Sequence, residues 1–191
     1  MQRHLFMGNV DTADLLFKQA RDQAPTSAYI YALSASFERA RNKIGIALTL
    51  VNEACKLANK KTGALCYTIK ANIHDQQRNR METISSLSKA LEYDPSDDYI
   101  RHQYGVALSR NGQRLEAIKQ FSLIIDRERQ KEFPGIQLLV ALKTRIINLE
   151  RESLLSEMKA DVKLAKELFE KFPHFASERR QFAGFIDNDT E

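Results

Sequence analysis

"YGVALSRNGQRLEAIKQF", residues 104–121, reads as a helix that stops at a turn and a second helix that starts straight after it. Ala117 and Phe121, continued by Ile124, recur at helical spacing in the second half. Gly112 stands at the turn, where a left-handed backbone costs glycine least. Gly105 is the anomaly. Inside a helix it costs about 1 kcal/mol relative to alanine, so something must offset it.

The pattern repeats outward from this stretch. Stepping back 34 residues from Ala117, Phe121 and Ile124 gives Thr83, Leu87 and Ala90. A further 36 gives Ala47, Val51 and Ala54, and another 34 gives Ala13, Phe17 and Ala20. Gly8, Asn42, Arg78 and Gly112 share this phase, and all but Arg78 are residue types that suit a helix-ending turn. Pro25 and Pro95 each fall five residues after the alanine that ends a unit, where proline closes one helix before the next. The small residues Ala35, Ala71 and Gly105 recur at 36 and 34 in the first helices. They imply helices that approach until their backbones nearly touch, which would offset the glycine. The two extra residues of the middle step are expected in "KLANKKTGAL" (56–65), because a loop absorbs insertions at little entropic cost.

A unit of about 34 residues with Tyr104-Gly105 in its first helix, Ala117 and Phe121 in its second and Pro95 at its boundary resembles the tetratricopeptide repeat (TPR). Tyr31 and Tyr67 match the aromatic position near the start of the first helix, and Arg101 departs from it. The resemblance implies an all-α fold, a right-handed α-α superhelix of TPR-like helical hairpins. It covers three full repeats, 28–63, 64–97 and 98–131, preceded by a partial repeat at 1–27. Beyond 131 the 34-residue period lapses. Residues 132–191 read as a diverged helical pair, a capping helix at 175–186 with Phe175, Phe182, Phe185 and Ile186 on one face, and a polar, disordered tail "DNDTE". Helices are expected at 10–23, 27–41, 44–59, 63–77, 80–93, 97–110, 113–130, 135–151 and 153–171. Residues 1–7 supply only half of a first helix. Leu15, Leu16 and Phe17 should therefore lack cover, as in a C-terminal region cut from a longer protein or a chain that self-associates through an uncapped N-terminal repeat.

Bulk composition agrees with a soluble helical protein. The 191 residues are 43% hydrophobic and 28% charged, with only seven Gly and four Pro. The 29 Lys and Arg stand interspersed with 25 Asp and Glu, which disfavours nucleic acid as the partner. No membrane-length apolar run and no signal-like start are present, so a cytoplasmic location is expected.

Motifs for catalysis, metal or cofactors are missing: no nucleophile stands with a base, and no Gly-rich phosphate loop appears. Cys55 and Cys66 read as core thiols and His74 as an interior histidine. Asp94, Asp97 and Asp98 lack the glycine and distal glutamate of a calcium loop, so Ser96 or an Asp reads as a helix cap. The basic "KLANKK" reads as a helix end whose lysines offset the dipole.

In TPR proteins the first helix of each unit lines a concave groove, and the resemblance places Tyr29, Ser36, Arg39, Asn72, Asp75, Gln76, Tyr99, His102 and Arg110 there as partner-binding residues. Ala32, Ala40, Leu65, Thr68, Val106 and Ser109 share the same face. Tyr29 and Tyr99 would serve as aromatic anchors and Arg39 and Arg110 as clamps for a carboxylate. Chaperone-binding members hold a C-terminal carboxylate with a Lys, Asn and Arg set. Ala32, Ser36, Ile69, Tyr99 and Gln103 occupy those positions, so that clamp is not implied. The expected function is a non-enzymatic scaffold that binds a protein or peptide ligand. The alternatives are a sensor or oligomerisation arm of a signalling NTPase or effector, and an RNA-binding helical-repeat module.

Overall fold

The computed structural model describes residues 2–186, with side chains from Val10 onward. Among them every regular element is helical: α1 (Gln2–Gln23), α2 (Ala28–Ala40), α3 (Ile44–Leu57), α4 (Gly63–Gln76), α5 (Arg80–Tyr93), α6 (Asp98–Arg110), α7 (Arg114–Arg129), α8 (Ile136–Arg151), α9 (Leu155–Lys171), a 3₁₀ segment (Pro173–Phe182) and α10 (Ala183–Ile186). The chain divides into two compact units, residues 1–95 and 96–191. The tail "DNDTE" lies outside the described residues.

Each unit is built from hairpins, α2/α3 and α4/α5 in the first and α6/α7 and α8/α9 in the second. One device closes all four. The residue at each turn adopts a left-handed conformation: Asn42 (φ 60°), Arg78 (φ 59°), Gly112 (φ 85°) and Ser153 (φ 57°). The next residue's N–H then reaches back to a carbonyl five positions earlier, as in Lys43 to Glu38, Asn79 to His74, Gln113 to Leu108 and Leu154 to Leu149, each at 2.9 Å. These bonds satisfy carbonyls that the helix end would otherwise leave bare. Arg78, which the sequence marks as the exception, obeys the rule because hairpin closure demands it.

Gly8 departs from expectation. It lies inside α1, which runs unbroken from Gln2 to Gln23. A glycine inside a helix costs only about 1 kcal/mol, and running straight through keeps the hydrogen bonds on both sides of it within one ladder.

The fourth hairpin shows how the period continues past 131. Ser153 follows Gly112 by 41 residues rather than 34. The added residues are divided among α7 (16 residues against 14 in α5), the α7–α8 connection and α8 (16 against 13 in α6). The repeat is therefore stretched, while α6 and α8 keep one register counted back from the turn, ending at Arg110 and Arg151 just before Gly112 and Ser153. The small-residue phase is indeed gone, since fully buried Ile146 stands 41 residues after Gly105.

Helix starts follow local chemistry. Ser27 caps α2 at Ile30 N (3.4 Å) and Asp97 caps α6 at Ile100 N (2.9 Å), each satisfying an orphan donor. In the α3–α4 connection Asn59 Oδ1 accepts from the N–H groups of Lys61 (2.9 Å) and Thr62 (3.2 Å), which organises that loop.

The core of the first unit packs Ala32, Ala35, Ala47, Val51, Ala54, Cys66, Ile69 and Ile73 together. Ala71, Leu87 and Ala90 are buried between α4 and α5. In the second unit Phe121, Ile124, Leu138, Leu142 and Val162 are buried. The small residue at position 105 does not bring two backbones together. A Cβ there would sit 2.6 Å from Phe121 Cε1 and 2.8 Å from Cζ, so the gap is filled by that ring. Arg101 replaces the expected aromatic by bonding across the hairpin, from Nη1 to Gln120 Oε1 at 2.9 Å. Buried Glu128 closes the α7–α8 loop by accepting from Gly135 N at 2.7 Å and pairing with Lys131.

The segment expected as a capping helix at 175–186 takes a different form. Residues 173–182 form a 3₁₀ segment that starts at Pro173, with only 183–186 α-helical. Phe175, Phe182 and Ile186 are still buried, and Phe182 meets Phe169 edge-on at 5.4 Å.

Candidate functional site

The hydrogen bonds between first helices of consecutive hairpins define which side of each helix remains open. In the second unit α6 and α8 run parallel, joined by His102 Nε2 to Thr144 Oγ1 at 3.1 Å and Ser109 Oγ to Asn148 Oδ1 at 2.6 Å. His102 and Ser109 therefore face α8. At about 100° per residue, Tyr99, Val106 and Arg110 fall together on the adjacent sector of α6. Tyr99 is 58% exposed and Arg110 is exposed.

The same construction applies to α8. Thr144 faces α6, while Lys143 Nζ donates to Gln181 Oε1 of the 3₁₀ segment at 3.0 Å. Val140, Ile147 and Arg151 lie between these two directions. They stand 41 residues after Tyr99, Val106 and Arg110, so both helices present an aromatic or aliphatic residue, an aliphatic residue and an arginine in one order.

In the first unit the repeat register assigns Tyr29, Ser36 and Ala40 of α2 and Leu65, Asn72 and Gln76 of α4 to the matching open sector. Tyr29 is 52% exposed. Gln76 Nε2 donates to Asn42 Oδ1 at 3.1 Å, tying the end of α4 to the preceding hairpin turn. Ala32 is fully buried, contrary to its expected place on the groove. It shares the phase of His102, the side of a first helix that faces the next hairpin. Arg39 shares the phase of Ser109, is half-buried, and its Nε is buried without a hydrogen-bond partner. Ser36 and Asn72 are half-buried, while Asp75 and Gln76 are exposed.

His102 is less open than the sequence suggests. Its ring lies 5.5 Å from that of Phe121, and burial lowers its pKa. Nothing in residue identity marks Thr144 as its partner, so sequence reasoning could not find this contact. Ile147 and Arg151 were also missed. Their signal was the 41-residue step between the turns at Gly112 and Ser153.

The other singled-out residues have structural roles. Cys66 is buried, with Sγ donating to Ala28 O at 3.9 Å, and burial pushes its thiol up to about 11. Cys55 is half-buried and likewise raised by burial. Both are free thiols whose reactive thiolate form is disfavoured. His74 is half-buried rather than interior, since it lies in the last turn of α4. Asp97 is the helix cap. Lys56 of the basic cluster pairs with Glu53 at 2.7 Å beside a shallow cleft of about 580 Å³ that also includes Lys70 and Tyr67. No group of described His, Cys, Asp or Glu residues could hold a metal ion, and no described helix is long and apolar enough to cross a membrane.

No protein-family model matches the sequence, and a search of curated proteins returns no match. Solved structures do match. YrrB, a TPR protein with an unusual peptide-binding site, aligns over 79% of this chain and 73% of its own at 18% identity and TM-score 0.65. MamA aligns over 88% and 94% at 16% identity and TM-score 0.71. A structure of Naa15/Naa10 bound to HypK-THB aligns over 86% of this chain but only 24% of its own, at 14% identity and TM-score 0.64. The architecture is thus that of TPR helical-repeat proteins, as the spacing of small and aromatic residues implies.

Proposed function

We propose that this protein is a non-catalytic, cytoplasmic protein-interaction scaffold that holds a peptide or partner helix on the open sectors of its first helices. One observation carries the reading. Side-chain bonds join α6 to α8 and α8 to the 3₁₀ segment, leaving exposed Tyr99 on the sector of α6 beside the first contact and Val140 on the sector of α8 between the two. Exposed aromatic side chains on rigid, parallel helices supply large contact area at little entropic cost. The peptide site of YrrB and the HypK segment bound by Naa15/Naa10 support the same use of the fold. The first-unit residues Tyr29, Ser36, Arg39, Asn72, Asp75 and Gln76 and the second-unit residues Tyr99, His102 and Arg110 form the binding set in this reading, with Arg39 and His102 also supporting the helix packing.

The test is site-specific photo-crosslinking in cells. A benzophenone side chain placed at Tyr29 or Tyr99 should capture protein partners, and one at Lys119 or Glu53 on the second helices should not. Partner adducts confined to the second-helix positions would overturn the assignment.

A further inference from the structure

A charge pair in the second unit has a counterpart in the first unit that lacks its acid. Counted from the hairpin turns, Lys70 stands eight residues before Arg78, as Arg145 stands eight before Ser153. Asn52 follows its turn at Asn42 by ten residues, as Ser122 follows Gly112, and Ser86 follows Arg78 by eight, as Asp161 follows Ser153. In the second unit these positions meet. Arg145 Nη1 donates to Ser122 Oγ at 2.8 Å and Nε donates to Asp161 Oδ2 at 2.7 Å, so the cation on α8 is neutralised by a carboxylate on α9. In the first unit the cation is kept on α4, but the acid's position belongs to Ser86, which is buried and neutral.

No described carboxylate pairs with Lys70. Lys70 and Asn52 instead line one cleft of about 580 Å³ between α3 and α4. Its other charges, Lys56 and Glu53, cancel each other across 2.7 Å. The Thr49 hydroxyl is taken up by Gly45 O at 3.1 Å, and the Tyr67 ring, stacked on Tyr93 at 5.7 Å, forms a wall. What remains for a ligand is one ammonium and one side-chain amide.

We propose that this cleft binds a monocarboxylate whose oxygens accept from Lys70 Nζ and Asn52 Nδ2, in the place that Asp161 fills at Arg145. A charge-assisted hydrogen bond of this kind is roughly twice as strong as a neutral one. The charge balance selects the ligand, because a single negative charge neutralises Lys70, whereas a phosphate dianion would set a second one beside Glu53. At about 100° per residue Lys70 points away from Leu65, Asn72 and Gln76, so the site lies on the other side of α4 from the open sector. It stands or falls independently of the proposed scaffold function.

A free acid and a glutamate side chain of a protein partner present the same group, so two probes are used, benzoate and the α-methylamide of N-acetylglutamate. Benzamide and the corresponding glutamine derivative are their neutral controls. Backbone amide NMR shifts of the full chain, followed at Asn52, Cys55, Tyr67 and Lys70, should saturate with at least one acid, about tenfold or more tightly than with its control. Saturation by benzoate alone assigns the site to free acids, and saturation by the glutamate derivative assigns it to protein side chains. Lys70→Gln should abolish the binding and Lys70→Arg should keep it. Asn52→Asp, which supplies an internal carboxylate at an exposed position, should weaken it about tenfold. The same spectra show that each variant is folded. Equal binding of acids and neutral controls, or binding that persists in Lys70→Gln, would overturn the proposal.

Discussion

The ring of Phe121 occupies the space into which a side chain at Gly105 would project, with Cε1 2.6 Å and Cζ 2.8 Å from the Cβ that alanine would add. In the preceding hairpins the corresponding pairs are Ala35 with Val51 and Ala71 with Leu87, so the larger residue on the second helix goes with the smaller on the first. Gly105→Ala should gain up to about 1 kcal/mol of helix propensity yet lose about 1–3 kcal/mol to overpacking, a net destabilisation in urea unfolding. Phe121→Leu alone should also destabilise, by leaving a cavity. Combined, the two should cost less than their sum, by about 1 kcal/mol. Additive effects would show that the ring and the glycine are independent.

Arg78 is held at φ 59° in the position that glycine fills, at φ 85°, one hairpin later. A left-handed backbone costs a residue with a Cβ about 1–2 kcal/mol. Arg78→Gly should therefore raise the unfolding free energy by up to about 1 kcal/mol, some of the gain being lost to the freer unfolded chain. Gly112→Ala should lower it by about 1 kcal/mol or more. Urea midpoints that move in the opposite directions would remove closure strain as the reason.

These two sites mark what the sequence revealed and what it hid. The alternation of small and large residues, at 35/51, 71/87 and 105/121, depends on volume, which residue identity records directly, so the hairpins and their order were legible. The turn at Arg78 was visible only by phase, because hairpin closure imposes the left-handed backbone on whichever residue stands there. The fourth hairpin was obscured because its added residues are spread over α7, the connection after it and α8, which breaks the 34-residue count without leaving a single visible insertion. Of the candidate site, Tyr29 and Tyr99 were legible as exposed aromatics. The burial of Ala32 and the contacts of His102 depend on how consecutive hairpins stack, and no local pattern encodes that.

His102 predicts a dependence on acid. Burial lowers its pKa in the folded protein below the ordinary histidine value of about 6.5, because the charged imidazolium is disfavoured between α6 and α8. Above pH 6.5 the ring is neutral in both states and contributes no pH dependence. As pH falls below that value the unfolded chain takes up the proton first, so stability declines until the folded-state pKa is passed, then levels. His74, also lowered chiefly by burial, acts in the same direction. His102→Gln should reduce the drop in urea midpoint between pH 7.5 and 5.5, and His74→Gln should remove a further part. An unaltered pH profile in both variants would assign the decline to other groups.

Arg145 bridges three helices of the second unit. Its Nε donates to Asp161 Oδ2 at 2.7 Å, Nη2 donates to the other carboxylate oxygen, and Nη1 donates to Ser122 Oγ at 2.8 Å. Asp161 is buried, and the Arg145 side chain retains 17% exposure. Removing one partner of a buried pair leaves the other charge uncompensated, at a cost of about 3–5 kcal/mol when both are fully enclosed. Asp161→Asn keeps the shape but removes the charge, and should destabilise toward the lower end of that range because water still reaches part of Arg145. Replacing both residues with apolar ones, Arg145→Met with Asp161→Leu, removes the desolvation cost together with the attraction. That double variant should recover most of the loss in calorimetric unfolding. Recovery would mean that the pair chiefly selects how α7, α8 and α9 meet. A double variant at least as unstable as Asp161→Asn would instead show that the ion pair contributes net stability.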